Sequence, residues 1–235
     1  MLFIRSLLYF IGSTVSLVVI AFIGLFFYFF SHPRRYQILS KWAQFCIWWL
    51  RITVKITIKV EGRENICQEP CVITSNHQST WETLAFQTVF PPHTWVLKKE
   101  LLSIPIFGWN LAMLSPITIK RSEKFRAMKQ VIRQGSERLS SGISVVIFPE
   151  GTRQPHRRLG KYQNGAAAIA KKTGRPLQPV FHNAGKHWPK GGFIKKPGVI
   201  TLVIGKQISV NNGSASDISQ SIRDWALEQS ERIDN

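Results

Sequence analysis

Cys71-Val72-Ile73-Thr74-Ser75-Asn76-His77-Gln78-Ser79-Thr80-Trp81-Glu82 is the stretch on which the fold turns. Cys71 to Thr74 reads as a short strand buried on both faces. A polar loop follows, and Ser79-x-x-Glu82 has the form of a capping box at a helix start. A buried strand running into a helix is a building unit of an α/β protein with a parallel sheet.

The same alternation extends along the chain. Val54 to Val60 interleaves β-branched residues with lysines, the pattern of a half-buried strand. Trp95-Val96-Leu97, Ile117-Thr118-Ile119, Ser144 to Phe148, Leu177 to Phe181 and Val199 to Ile204 read as further strands. Glu123 to Leu139 repeats Phe125, Met128, Ile132 and Leu139 on one helical face, with Gly142 just beyond. Gly165 to Lys172 is an alanine-rich helix stopped by Gly174, and Asp217 to Ile233 a closing amphipathic helix. The expected fold class is α/β, a largely parallel central sheet flanked by helices.

Ahead of this body lies a membrane address. Ser6 to Ser31 contains no Asp, Glu, Lys or Arg, and about twenty apolar residues suffice to cross a bilayer as a helix. His32-Pro33-Arg34-Arg35 follows in place of a small-residue cleavage site. A second apolar stretch, Tyr36 to Leu50, carries Trp42, Trp48 and Trp49, a residue type that favours the lipid–water interface. Two pictures are open: a helical hairpin embedded in one leaflet, or a single spanning helix. Residues 1–52 are expected to form the anchor and 53–235 the catalytic domain. Arg34, Arg35 and Lys41 outweigh Arg5, which puts the downstream side in the cytoplasm.

The formal net charge is +18, which points to anionic partners: lipid headgroups, nucleic acid or acidic proteins. No helix-turn-helix, finger or RNA-recognition signature accompanies it, so nucleic acid is not expected. Three cysteines (Cys46, Cys67 and Cys71) give no disulfide framework. The scattered His32, His93, His156, His182 and His187 make no metal-ligand spacing.

The chemistry concentrates at two strand ends, where sheet proteins bind ligands. After the first strand, His77 can take a proton from a hydroxyl if a partner holds its other ring nitrogen. Glu82 can be that partner, provided His77 sits in the loop, because in a continuous helix the two would diverge by about 140°. The competing reading makes Glu82 a helix cap and nothing more. After the second strand comes Phe148-Pro149-Glu150-Gly151-Thr152-Arg153. Pro149 stops the strand, Gly151 lets the backbone approach a ligand, and Arg153 offers a planar fork suited to phosphate. Lys98-Lys99-Glu100-Leu101 and Ile119-Lys120-Arg121 each put basic residues behind a strand.

Taken in order, His-x4-acid, Lys-Glu-Leu with Ile104-Pro105-Ile106-Phe107-Gly108-Trp109, then Arg121, Phe-Pro-Glu-Gly-Thr-Arg and Leu177-Gln178-Pro179-Val180 resemble the glycerolipid acyltransferase family. The bacterial 1-acyl-sn-glycerol-3-phosphate acyltransferases are the nearest likeness. The resemblance implies His77 as general base and Glu82 as the acid that orients it. It implies Arg153, Arg121 and Lys99 at the substrate phosphate, and Glu150, Gly151 and Thr152 in positioning or at an oxyanion. Pro179 falls in a block linked to the acyl donor or to structure. Two positions depart from the pattern: Glu82 replaces the usual Asp, and Lys120 stands where many members carry Asp.

The function so implied is acyl transfer from a thioester to the 2-hydroxyl of lysophosphatidic acid at a bacterial inner membrane. It needs no bound cofactor and no acyl-enzyme, which agrees with the lack of a Gly-x-Ser-x-Gly elbow. The co-substrate is acyl-CoA or an acyl carrier protein thioester. Expected partners are lysophosphatidic acid, anionic phospholipid and acyl carrier protein. Glycerol 3-phosphate or another lysolipid is the alternative acceptor, and a non-catalytic anionic-lipid or nucleic-acid binding protein the rival class.

Overall fold

The computed structural model describes residues 1–105, 107–119 and 124–234. Its strands are β1 (Ile56–Glu61), β2 (Val72–Ser75), β3 (His93–Lys98), β4 (Ile117–Ile119), β5 (Ser144–Ile147), β6 (Leu177–His182) and β7 (Gly198–Ile204). They form one sheet in the order β1-β7-β6-β2-β5-β3-β4. Every pairing is parallel except β6 with β7, so the expected largely parallel sheet is what the chain forms.

The helices are α1 (Leu2–Phe26), α2 (His32–Thr53), α3 (Trp81–Val89), α4 (Phe107–Met113), α5 (Lys124–Ser140), α6 (Gly165–Thr173) and α7 (Ala215–Asp234). Strand side chains alternate between two cores. Ile73 and Val146 join Leu39 of α2 and Trp81 and Phe86 of α3. Val72, Val145 and Ile147 join Val131, Ile169 and Ile222 of α5, α6 and α7 on the other face. All four residues of β2 and of β5 are buried, as both-face coverage requires.

Small differences from the sequence reading have local causes. β1 starts at Ile56 because Val54 closes α2 and Lys55 takes a positive φ of 65°. β5 ends at Ile147, one residue before Phe148, whose ring turns toward the site. α4 was not foreseen; its seven residues are too few to display a helical period. Glu123, expected to open α5, lies outside the described residues.

The two N-terminal helices pack as an antiparallel hairpin. The indole N–H of Trp49 donates to Leu8 O at 3.0 Å and that of Trp42 to Ser13 O at 3.2 Å. A Cβ at Gly12 would collide with the Trp49 indole, so the glycine admits this approach. Only α1 is long and apolar enough, among the described residues, to cross a membrane. The α2 helix instead buries Tyr36, Leu39 and Leu50 in the core around Trp81 and Phe86. At about 1.5–3 kcal/mol for each large side chain, those three rival the entire stability of a typical domain, about 5–15 kcal/mol. A chain starting at residue 53 is therefore expected to aggregate, with size-exclusion chromatography as the check; a monodisperse, folded product would show that α2 is dispensable.

Candidate active site

β2 and β5 are neighbours whose chains leave in opposite directions: β2 leads through α3 to β3, and β5 through α6 to β6 on the far side of β2. Such a divergence opens a crevice beyond the strand ends. The two motif loops sit there and bond to each other. The His77 N–H donates to Glu150 Oε2 at 2.8 Å, and the Gln154 N–H donates to His77 O at 2.7 Å. Asn76, fully buried, reaches the end of β6: its amide donates to His182 O at 2.9 Å and its Oδ1 accepts from His182 N at 3.1 Å. Gln78 Oε1 accepts from Gly185 N at 3.0 Å. The loop bearing His77 is thus tied down at three consecutive residues.

The His77 ring stacks on Phe148, centroids 4.1 Å apart and planes 14° from parallel. Its Nδ1 lies 2.7 Å from Glu82 Oε1. That same oxygen accepts from Gln78 N at 2.9 Å and Ser79 N at 2.8 Å. Glu82 is therefore more than a cap: one oxygen bonds the backbone at the start of α3 and the histidine ring together. The extra methylene relative to Asp leaves the pair intact. Glu82 is fully buried, which opposes its charge, but His182, His77 and the Ser79 amide together hold its carboxyl below the usual range. An ionised carboxylate only accepts, so the His77 Nδ1 carries a proton toward Glu82, and the ring lines the adjoining cavity.

Glu150, expected to position substrate, points inward. It accepts from His77 N and, through Oε1, from Gly160 N at 3.0 Å. Burial pushes its carboxyl up to about 7, against the pull of those two amides. Between about 4.5 and 7 the folded state then binds more protons than the unfolded chain, so this group's contribution to stability falls as pH rises through that window. Glu82 acts oppositely: its contribution is complete above its ordinary value and is lost as pH falls through the lower folded one. Glu150→Gln is expected to flatten the first dependence, read as melting temperature against pH. It also turns an NH₂ toward one of two N–H donors, which costs about 1–3 kcal/mol and loosens the His77 peptide. Unchanged melting profiles and turnover would remove Glu150 from the positioning of His77.

A cavity of about 540 Å³ opens beside His77. Its wall is mainly apolar and includes Leu17 and Ile20 of α1, Leu39 and Trp42 of α2, and Leu84 of α3. Thr152, Arg153, Lys98 and Lys190 supply polar lining, and Lys190 Nζ donates to Arg153 O at 3.3 Å. His77, Thr152 and Arg153 thus line one cavity. Lys99 is exposed in the turn after β3, and it is Lys98 that lines the cavity. Arg121 lies outside the described residues.

Gly151 takes a positive φ of 69°, and its N–H closes a turn onto Phe148 O at 3.0 Å, so that donor is engaged away from an oxyanion. Pro179 is in β6, opposite Thr74 of β2, with its carbonyl accepting from Gly205 N at 2.9 Å. Its missing N–H faces the β7 side just before that ladder begins at Val180, so no ladder bond is lost. It is not part of the cavity wall. Among the described residues no cluster of His, Cys, Asp or Glu is arranged to hold a metal ion.

Lys98 and Phe148 fell within the sequence motifs but were given no role there, and Lys190 and His182 were given none either. Lys98 stood beside the lysine that was chosen; Lys190 and His182 belong to no spacing pattern.

Comparison with known proteins places the chain in a family. The acyltransferase family model matches residues 57–183. A 1-acyl-sn-glycerol-3-phosphate acyltransferase of Pseudomonas aeruginosa is 42% identical over 96% of this chain and 90% of its own. The chloroplastic 1-acyl-sn-glycerol-3-phosphate acyltransferase BAT2 of Brassica napus is 31% identical over 88% of this chain and 60% of its own. The crystal structure of the 1-acyl-sn-glycerophosphate (LPA) acyltransferase PlsC from Thermotoga maritima has the same fold, with a TM-score of 0.82 over 98% of this chain and 95% of that one at 23% identity. Matched by the family model over more than half its length, and by the Pseudomonas relative almost end to end, this chain belongs to the acyltransferase family.

Proposed function

We propose that the protein moves a fatty acyl chain from an acyl thioester to the 2-hydroxyl of 1-acyl-sn-glycerol 3-phosphate, making phosphatidic acid for phospholipid synthesis. The observation that carries this reading is the His77–Glu82 pair, 2.7 Å apart, at the wall of an apolar cavity that also bears Arg153, Lys98 and Lys190. His77 Nε2 takes the hydroxyl proton as that oxygen attacks the thioester carbonyl. Glu82 stabilises the imidazolium so formed. Collapse of the tetrahedral adduct expels the thiolate, which takes the proton back from His77.

Arg153 grips the phosphate, with Lys98 and Lys190 beside it and Arg121 and Lys99 assigned to the same anion by the family pattern. The apolar wall shared by α1, α2 and α3 suits an acyl chain. An α1 helix with largely exposed apolar side chains suits a membrane anchor. Arg34, Arg35 and Lys41 favour the cytoplasmic face of a bacterial inner membrane for the catalytic domain. Acyl-CoA and acyl carrier protein are both anionic, and the +18 chain suits either donor.

The test is acyl transfer by the purified full chain. Lysophosphatidic acid and glycerol 3-phosphate are each offered with acyl-CoA and with acyl carrier protein thioesters. Phosphatidic acid from the first acceptor is the expected product; turnover only with glycerol 3-phosphate would overturn the choice of acceptor. Arg153→Ala is expected to raise the acceptor KM by about 10- to 100-fold, the scale of a lost charge-assisted hydrogen bond. Lys98→Ala should raise it more than Lys99→Ala. An unchanged acceptor KM in Arg153→Ala would remove that residue from the phosphate.

A further inference from the structure

Beyond the helix hairpin, the catalytic domain carries an apolar outcrop of its own. The β6–β7 connection runs through Trp188-Pro189-Lys190-Gly191-Gly192-Phe193-Ile194-Lys195-Lys196-Pro197. Phe193 and Ile194 are exposed, at 39% and 44%. The Phe193 ring lies 5.5 Å from Phe3 and 6.0 Å from Phe10, centroid to centroid, and both of those rings are exposed on α1. The loop and the first turns of α1 thus form one continuous apolar patch.

The loop is clamped there. Lys195 N donates to Ser6 Oγ at 2.9 Å. The Lys195 ammonium is buried over Trp188 and Tyr9, 4.6 and 5.1 Å from their ring centroids. On the same β6–β7 connection Lys186, Lys190 and Lys196 are exposed, and residues 184–198 contain no acid.

We infer that this loop is a second membrane contact, with Phe193 and Ile194 entering an anionic leaflet beside α1 and Lys186, Lys190 and Lys196 meeting its headgroups. The inference rests on the reading of α1 as lipid-embedded. Continuity with α1 selects lipid as the occupant: whatever covers Phe3 and Phe10 must also cover Phe193. Three exposed lysines with no acid between residues 184 and 198 favour an occupant with a negative surface. Lys190 also lines the cavity and donates to Arg153 O. The loop therefore couples the depth of insertion to the phosphate end of the site, where a lysolipid headgroup would arrive from the same leaflet.

The test places an environment-sensitive fluorophore at Ile194→Cys of the full chain, in vesicles of phosphatidylcholine and phosphatidylglycerol. Val19→Cys on the exposed side of α1 and Ser141→Cys after α5 serve as references. The native Cys46, Cys67 and Cys71 are buried, and the unsubstituted protein carried through labelling corrects for them. Labels at 194 and 19 are expected to be quenched by spin-labelled lipid, and the label at 141 by aqueous iodide. Iodide quenching at 194 with lipid quenching at 19 would overturn the loop contact and leave the anchor standing. Iodide quenching at both would overturn the anchor reading, and the loop contact with it. A label at 194 shielded from both quenchers would mean a protein covers the loop, which also overturns the inference. As a functional readout, Phe193→Asp with Ile194→Asp is expected to raise the KM for acceptor in anionic vesicles about tenfold, the scale for losing two partly buried apolar side chains. Turnover of a detergent-dispersed acceptor should not change. An equal loss in both settings would point to a fold defect and count against the contact.

Discussion

His77→Ala is expected to lower turnover by about 100- to 10,000-fold while the protein stays folded. The chemical loss is large because the ring offers the one basic nitrogen that its surroundings prepare: Nδ1 is committed to Glu82 at 2.7 Å, which leaves Nε2 for the substrate. The structural loss is small because the loop is not held by that ring. Its anchors are the His77 backbone, bonded to Glu150 Oε2 and Gln154 N, and the side chains of Asn76 and Gln78. The variant forfeits the stack on Phe148 and the 2.7 Å bond to Glu82, whose Oε1 keeps the Gln78 and Ser79 amides. Turnover should be measured beside thermal unfolding. A folded variant that turns over at near the wild-type rate would end the role of general base.

Glu82→Gln comes next in size and separates the two duties of this side chain. A glutamine carbonyl can still accept from Gln78 and Ser79, so the cap survives and the melting temperature should fall only modestly. The charge does not survive. The imidazolium formed during transfer loses its counter-ion, and the NH₂ replaces Oε2, which faces His182 Nε2 at 3.9 Å. His182 Nδ1 accepts from Ala184 N at 3.3 Å and its Nε2 donates to Asn76 O at 3.1 Å, so that ring offers the new NH₂ no acceptor. If the amide flips to relieve this, its NH₂ faces His77 Nδ1 and selects the wrong tautomer. Removing the equivalent charge in a hydrolase triad costs about 10,000-fold; a loss of about 100-fold or more is expected here. Glu82→Asp keeps the charge and should be milder. Full activity in Glu82→Gln would make the residue a cap alone.

Much of the architecture was legible in the chain. Val72-Ile73-Thr74 and Ser144 to Ile147 are short apolar runs without alternation, which is how strands covered on both faces must read, and both lie in the middle of the sheet. Strand ends were blurred by a residue or two wherever backbone geometry decides, as at Lys55 with its positive φ. The α2 helix was harder. Its tryptophans suggest a lipid interface, yet Trp42 and Trp49 spend their N–H groups on α1 carbonyls, and Tyr36, Leu39 and Leu50 fill the domain core. Apolar side chains look alike in sequence whether a bilayer or a sheet will cover them.

The sequence by itself determined that the chain is α/β, that a basic residue and an acid stand five residues apart beyond a buried strand, and that a phosphate-suited arginine follows another. Those are local facts: hydrophobic period, turn chemistry and the reach of neighbouring side chains. The tertiary structure alone decided that Glu82 serves His77 and the helix cap with one oxygen. It also turned Glu150 away from the cavity onto the His77 backbone, put Lys190 beside Arg153, and set Lys98 on the wall of the same cavity. The physical reason is distance along the chain. Crossover connections carry His182 and Lys190 back to a loop more than a hundred residues earlier, and no period or propensity encodes which side chains such a return will bring into contact.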